Sequence, residues 1–277
     1  MRTLNLVLMD IRNGISVVWY RGMIAGAMFI LVNISLYRLS GTIVEHIAPL
    51  SLGDYYVNTF TGIKWSEFRP DRLVVLPFMW LTVILSILYF TLHYTYKDLE
   101  GIGKHLIVLS GSRLKWWYTK CLWVFFTVLL FFFSWLVVTV IWFLVTQGNL
   151  DFTISSNISI FFGLRPEMMT QPPWAITDFI IVTFLMILAL CMLQMLVTLY
   201  LSPILSFISS ISILILSIHI NNPFMIGNYL MATRSKVFVF SGFDSVTGIV
   251  ISIGIIITVI FLGGHYFKNM DILVKED

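Results

Sequence analysis

Apolar residues run along this chain in blocks long enough to cross a hydrocarbon layer, which takes about 20 residues, and shorter stretches between the blocks hold most of the charged residues. The first 20 residues follow another pattern. Leu4, Val7, Leu8, Ile11, Ile15 and Val18 recur at spacings of three and four, with Asp10, Arg12, Asn13 and Ser16 between them. One apolar stripe on an otherwise polar helix predicts an amphipathic helix lying in the membrane interface over residues 1–20, with Trp19 and Arg21 at headgroup level. Six spans are expected after it, over about 22–40, 73–95, 120–146, 178–201, 204–220 and 248–267. Pro203 lacks an amide donor, so spans four and five should form a tight hairpin that breaks there. Six crossings leave both termini on one side. The basic cluster from Lys97 to Lys120 sits in one short loop on that side, which predicts cytoplasmic termini.

Three segments then lie outside, 39–72, 147–178 and 221–247. In the last, Phe224, Met225, Ile226, Tyr229 and Leu230 alternate with Asn222, Pro223, Gly227, Asn228 and Arg234. Such a mixture predicts a half-buried segment dipping into the outer leaflet, where neighbouring helices must satisfy its backbone. The expected fold class is an all-α polytopic membrane protein, with residues 1–277 forming a single transmembrane domain.

Composition agrees. Apolar and aromatic residues make up 58% and charged residues 11%, against roughly 45–50% and 25% in soluble domains. The formal charge of +3 suggests no nucleic-acid partner; the bilayer is the expected surrounding. Cys121 and Cys191 fall in apolar blocks and read as small buried hydrophobes. The span cores carry no Asp, Glu, Lys or Arg, so an ion-coupled transport cycle has nothing to run on. His93, His219, His265 and Asp178 stand near span ends and read as structural. Gln194 reads as glue between helices. With Met195 and Trp135 it also marks a possible cargo path, along spans rich in aromatics and in Met186 and Met192.

No His-Glu-x-x-His pair, Gly-x-Ser-x-Gly elbow or complete phosphate loop is present, so the chain is not expected to be an enzyme or to hold a metal or cofactor. An intramembrane enzyme would need paired polar groups at one depth.

Between spans two and three, over 96–119, Leu99, Ile102, Leu106 and Leu109 keep helical spacing. Ser110 to Arg113 breaks that helix and caps the next, and Trp116 and Trp117 return to the interface. An acidic residue and glycine opening the loop, a Ser-Arg pair closing it and a Lys ahead of the third span are Glu100, Gly101, Ser112, Arg113 and Lys120. In that order they resemble the coupling loop of ABC transporter permeases of the type-2 exporter family. The stretch from Asn222 to Tyr229 is similar to small Gram-positive permeases linked to antimicrobial-peptide export or immunity.

The resemblance implies a cell-membrane permease with a coupling helix in the 96–119 loop. A separate cytoplasmic ABC ATPase would bind ATP and magnesium, and a second permease, identical or homologous, would complete the pair. Glu100, Gly101, Ser112, Arg113 and Lys120 would couple hydrolysis to export of a hydrophobic or amphipathic cargo, a peptide by the same resemblance. A membrane sensor or assembly scaffold that transports nothing is the alternative with the same fold.

Overall fold

The computed structural model describes residues 3–43, 50–65, 76–100, 112–146, 148, 150–164 and 176–269; for 3–19, 42–43, 93–95, 97–100, 156–157 and 269 it describes the backbone alone. In chain order the helices are α1 (Thr3–Ile43), α2 (Leu52–Thr59), α3 (Phe78–Glu100), α4 (Arg113–Thr146), α5 (Ser156–Phe161), α6 (Thr177–Tyr200), α7 (Pro203–His219) and α8 (Ser245–Asn269). Two 3-10 turns, Ile226–Leu230 and Ala232–Arg234, lie between α7 and α8. No strand occurs among the described residues.

Tyr20–Gly41, Arg113–Thr146, Thr177–Tyr200 and Ser245–Lys268 are long and apolar enough to cross a membrane. Phe78–Leu92 and Pro203–His219 are shorter apolar helices. These features fit an all-helical, membrane-embedded protein.

The central helix is α6. Its apolar window is 67% buried inside the bundle, against 28% for α4 and 22% for α8. It packs on α8 and α3, while α1 lies along α4 and α4 also meets α8. The outward faces of α4 and α8 are apolar and uncovered, including Leu122, Phe126 and Phe133 on one and Val250, Ile257 and Phe261 on the other. Lipid suits such faces, whereas water would not.

Several boundaries differ from the expected ones. Residues 3–43 form one helix, with no break between an interfacial helix and a first span. The chain's first proline is Pro49, so no residue in that stretch forces a break. The helix of the second expected span, α3, begins at Phe78 rather than 73, because Pro77 disfavours helical backbone before it and supplies the carbonyl that accepts from Leu81 N at 2.9 Å. That helix then runs on to Glu100, through residues expected in the loop. The helix of the third expected span, α4, begins at Arg113, within the Ser110 to Arg113 break expected to cap it and seven positions ahead of the span itself, and Ser112 Oγ accepts from Lys115 N at 3.5 Å. At the hairpin the expectation holds: Ser202 caps α7 and Pro203 occupies its first turn. Of the 96–119 loop expected to hold the coupling helix, residues 101–111 lie outside the described residues, and Leu99 belongs to the end of α3.

Helix α2 was expected as part of a loop, yet all eight of its residues are buried. Ser51 and Asp54 form a capping box, in which Ser51 Oγ accepts from Asp54 N at 3.1 Å and Asp54 Oδ2 accepts from Ser51 N at 3.0 Å. The other carboxylate oxygen accepts from Ser155 N at 2.9 Å, and Ser51 Oγ donates to Thr153 O, so α2 is stitched to the segment ahead of α5. Aromatic contacts seat α2 on α4. Tyr55 meets Phe143 edge-on at 5.3 Å, Trp142 Nε1 donates to Tyr55 Oη at 3.1 Å, and Trp135 Nε1 donates to Thr59 Oγ1 at 3.2 Å.

Burial raises the pKa of Asp54, and the hydrogen bonds from Ser51 and Ser155 oppose that rise. Asp54→Ala leaves two amides without acceptors and is expected to cost about 1–3 kcal/mol. Because the folded protein holds the Asp54 proton more tightly than the unfolded chain does, this carboxyl's contribution grows as pH falls through its raised pKa. The gap in melting temperature between wild type and Asp54→Ala, read by tryptophan fluorescence in detergent, should therefore widen on acidification. A gap that narrows would contradict this.

Candidate functional site: the Arg113 end and the cap

Two places gather polar and aromatic groups, one at each end of the bundle. At the first, α4 begins where α8 ends. Arg113 Nη1 donates to Lys268 O at 3.3 Å, placing a cation on the last turn of α8, where carbonyls lack helical partners. Trp116 stacks on Phe267 at 4.7 Å, and Trp117 lies nearly parallel to the same ring at 6.1 Å. Trp117 Nε1 donates to Ile260 O at 3.1 Å. Its ring occupies the space that a Cβ at Gly263 would need, so a glycine is required for α4 and α8 to approach this closely.

Of the five residues expected to couple to an ATPase, Ser112 and Arg113 stand at this end, on the cap and first turn of α4. Glu100 ends α3, with its side chain outside the described residues, and Gly101 lies outside them altogether. Lys120 departs from its expected place beside the loop. Its side chain is 0% exposed, and its Nζ lies 5.1 Å from the centre of the Trp116 ring. It points into the bundle two turns inside α4, a placement that the position before a span does not reveal.

The three residues expected along a cargo path are packing residues. Trp135 is buried with its Nε1 on Thr59 and its ring edge-on to Tyr56 at 5.1 Å. Gln194 Nε2 donates to Leu88 O at 2.9 Å, bridging α6 to α3 as glue, while its Oε1 has no hydrogen bond among the described residues. Met195 is buried, as are Met186 and Met192. Gln194 lies six positions from the end of α6, about 9 Å, and Trp135 lies 18 positions past Trp117, about 27 Å along α4. The structure does not bring them together.

At the opposite end the segments before and after the 3-10 turns fold over the helices as a cap, and Arg234 is its centre. The side chain is 3% exposed. Its Nε donates to Ile63 O at 2.9 Å, Nη1 to Ser217 O at 2.7 Å and to Asn228 Oδ1 at 2.5 Å, and Nη2 to Ile218 O at 2.8 Å. The Trp65 ring lies 5.6 Å from the guanidinium carbon. Two of these acceptors belong to the last turn of α7, so the cation also complements that helix terminus. Burial alone pushes its pKa down to about 10, which leaves it charged at neutral pH.

Around Arg234 the backbone pairs with the chain that follows α2. Ala232 N donates to Phe60 O at 2.7 Å, and Thr233 N donates to Thr61 O at 3.2 Å. Gly62 adopts φ +66° where it passes Met231, a turn that favours glycine. Asn228 Nδ2 donates to Ile220 O and Asn222 O, each at 2.9 Å. The expected half-buried segment is thus buried throughout Ile226–Arg234. In the sequence Arg234 is one polar residue of the outer segment 221–247. The available signal was an arginine inside a run of apolar residues.

Among the described residues no three His, Cys, Asp or Glu side chains gather as a metal site, and both cysteines are buried thiols. The chain matches no family model, no curated protein and no solved structure.

Arg234→Met is expected to destabilise the cap by roughly 3 kcal/mol or more, because several buried acceptors lose a charged donor at once. Arg234→Lys keeps the charge but not the planar fork, and should fall between. Hydrogen exchange at the Ala232 and Thr233 amides checks this, with faster exchange expected in the order wild type, Lys, Met.

Proposed function

We propose that this chain is the transmembrane permease subunit of an ATP-driven ABC exporter in the cell membrane of a Gram-positive bacterium. Its cargo is hydrophobic or amphipathic, a peptide by resemblance, and a separate cytoplasmic subunit binds and hydrolyses ATP with magnesium. The observation that carries this reading is mechanical. The 101–111 segment joins the end of α3 to the start of α4, and α4 is fastened to α8 through Arg113, Trp116 and Trp117. A push that reaches the start of α4 is passed to α8 through these contacts.

Six crossings are the topology this requires. The four long helices supply four. Helix α3 supplies another, and α7, about 25 Å long, the last. Both termini and the 96–119 loop then face the cytoplasm. A second permease, a copy or a homologue, completes the pair.

The burial of Gln194, Met195 and Trp135 in the bundle favours a second reading, a membrane sensor or scaffold that moves nothing. Cargo uptake into vesicles separates the two.

Purified gently from its native cells, the protein should bring an ATPase subunit with it. Glu100→Ala with Arg113→Ala should reduce that recovery about tenfold, the loss of roughly 1.4 kcal/mol of contact. The exposed Arg113 bond to Lys268 contributes little to folding, so the variant should still insert and purify. An ATPase absent from wild-type preparations would move the assignment to the sensor or scaffold.

A further inference from the structure

A groove opens on the side of the bundle where α1, α3 and α4 meet. Gly22 and Ala25 of α1, Phe90 of α3, and Leu130 and Phe131 of α4 give it apolar walls. Thr127 and Ser134 also face it, but their hydroxyls donate back to Trp123 O at 2.9 Å and Phe131 O at 2.8 Å on their own helix. They offer an occupant little polarity.

The remaining polar group in the groove is the guanidinium of Arg21, which donates to Phe90 O. Among the described residues no carboxylate forms an ion pair with it. A guanidinium carries five N–H donors, so the bond to Phe90 leaves several for an anion. Side chains on a helix lean toward its N-terminus, which sets the Arg21 charge at one end of the groove. From there Gly22, Ala25 and Phe131 continue as an apolar trough, and Thr127 to Ser134 spans about 10 Å of α4. Apart from its chain neighbours and the backbone of its own helix, no described atom lies within 4 Å of where a Cβ on Gly22 would stand, so the groove is open at that position.

A single cation at the end of an apolar trough that opens sideways from a membrane bundle has the complementary shape of an anionic amphiphile. The geometry points to a binding site for an anionic phospholipid, its phosphate on Arg21 and the upper part of one acyl chain along Gly22, Ala25 and Phe131. The lateral opening selects the lipid over a soluble anion, because the bilayer is what faces it. The site depends on membrane embedding and not on transport, so it stands or falls separately from the exporter reading.

Native mass spectrometry of the full chain in mild detergent, offered equal phosphatidylglycerol and phosphatidylcholine, tests the site directly. Wild type should retain phosphatidylglycerol over phosphatidylcholine by about tenfold or more, the scale of a hydrogen bond to a charged group. Arg21→Gln should abolish the preference, and Arg21→Lys, which keeps the charge, should retain part of it. Gly22→Leu should lower retention of both lipids, since its side chain fills open space in the groove. Arg38→Gln, which removes an exposed cation of the same helix, should change nothing. Equal retention of the two lipids by wild type would overturn the proposal. So would a preference that survives Arg21→Gln, unaltered retention in Gly22→Leu, or displacement of phosphatidylglycerol by inorganic phosphate alone, which would mark a free-anion site.

Discussion

Backbone that is neither helix nor exposed to water must find its hydrogen bonds inside the protein, and in this chain that constraint falls on the cap. Helices satisfy themselves except at their ends. The turns between α7 and α8 do not, nor does the chain after α2, and Arg234 answers both. One guanidinium supplies donors to the end of α7, to Ile63 and to Asn228, while Asn228 supplies donors to Ile220 and Asn222. A buried arginine is costly to desolvate unless most of its donors are used. Here the cost is offset by hydrogen bonds to three pieces of chain at once. Through Trp80 Nε1, which donates to Leu230 O at 2.8 Å, the same turns are also tied to α3.

The opposite end is built on different physics. There the contacts are large flat rings against a helix without side chains in the way, Trp117 over Gly263 and Phe267, with indole and guanidinium bonds to main-chain carbonyls of α8. Dispersion over such areas is strong and has little directional preference along the helix. These contacts tie α4 to α8 at this end, while the cap ties the end of α7 to α3 and to the chain after α2 at the other. The Arg21 groove lies between these two fastened ends, on the side where α1 rather than α8 covers α4.

Elements governed by local chemistry were legible in the sequence. Pro203 and Ser202 set the hairpin, Ser112 set the start of α4 to within a residue of the predicted cap, and the long apolar runs of α6 and α8 gave boundaries within a few positions. What depends on distant partners was not. Lys120 looks like a loop cation until Trp116 is seen beside it, and Arg234 looks like an outer charge until the ends of α2 and α7 converge on it. Helix α2 did carry a local sign, the Ser51 and Asp54 spacing of a capping box, which the surrounding polar residues obscured. Trp135, Gln194 and Met195 are of residue types that suit both a cargo path and a core, and their burial was not legible from the sequence.

We propose that the Arg113 end and the cap lie on opposite faces of a membrane crossed six times, and the short helix α7 decides it. Single cysteines at Ser202 and Phe224, both exposed and flanking α7, in a chain whose Cys121 and Cys191 are replaced by Ser, can be probed in intact cells with a membrane-impermeant thiol reagent. Phe224→Cys should label from outside, and Ser202→Cys should label only after the cells are permeabilised. Labelling of both positions from the same side would show that α7 does not cross, and would contradict it.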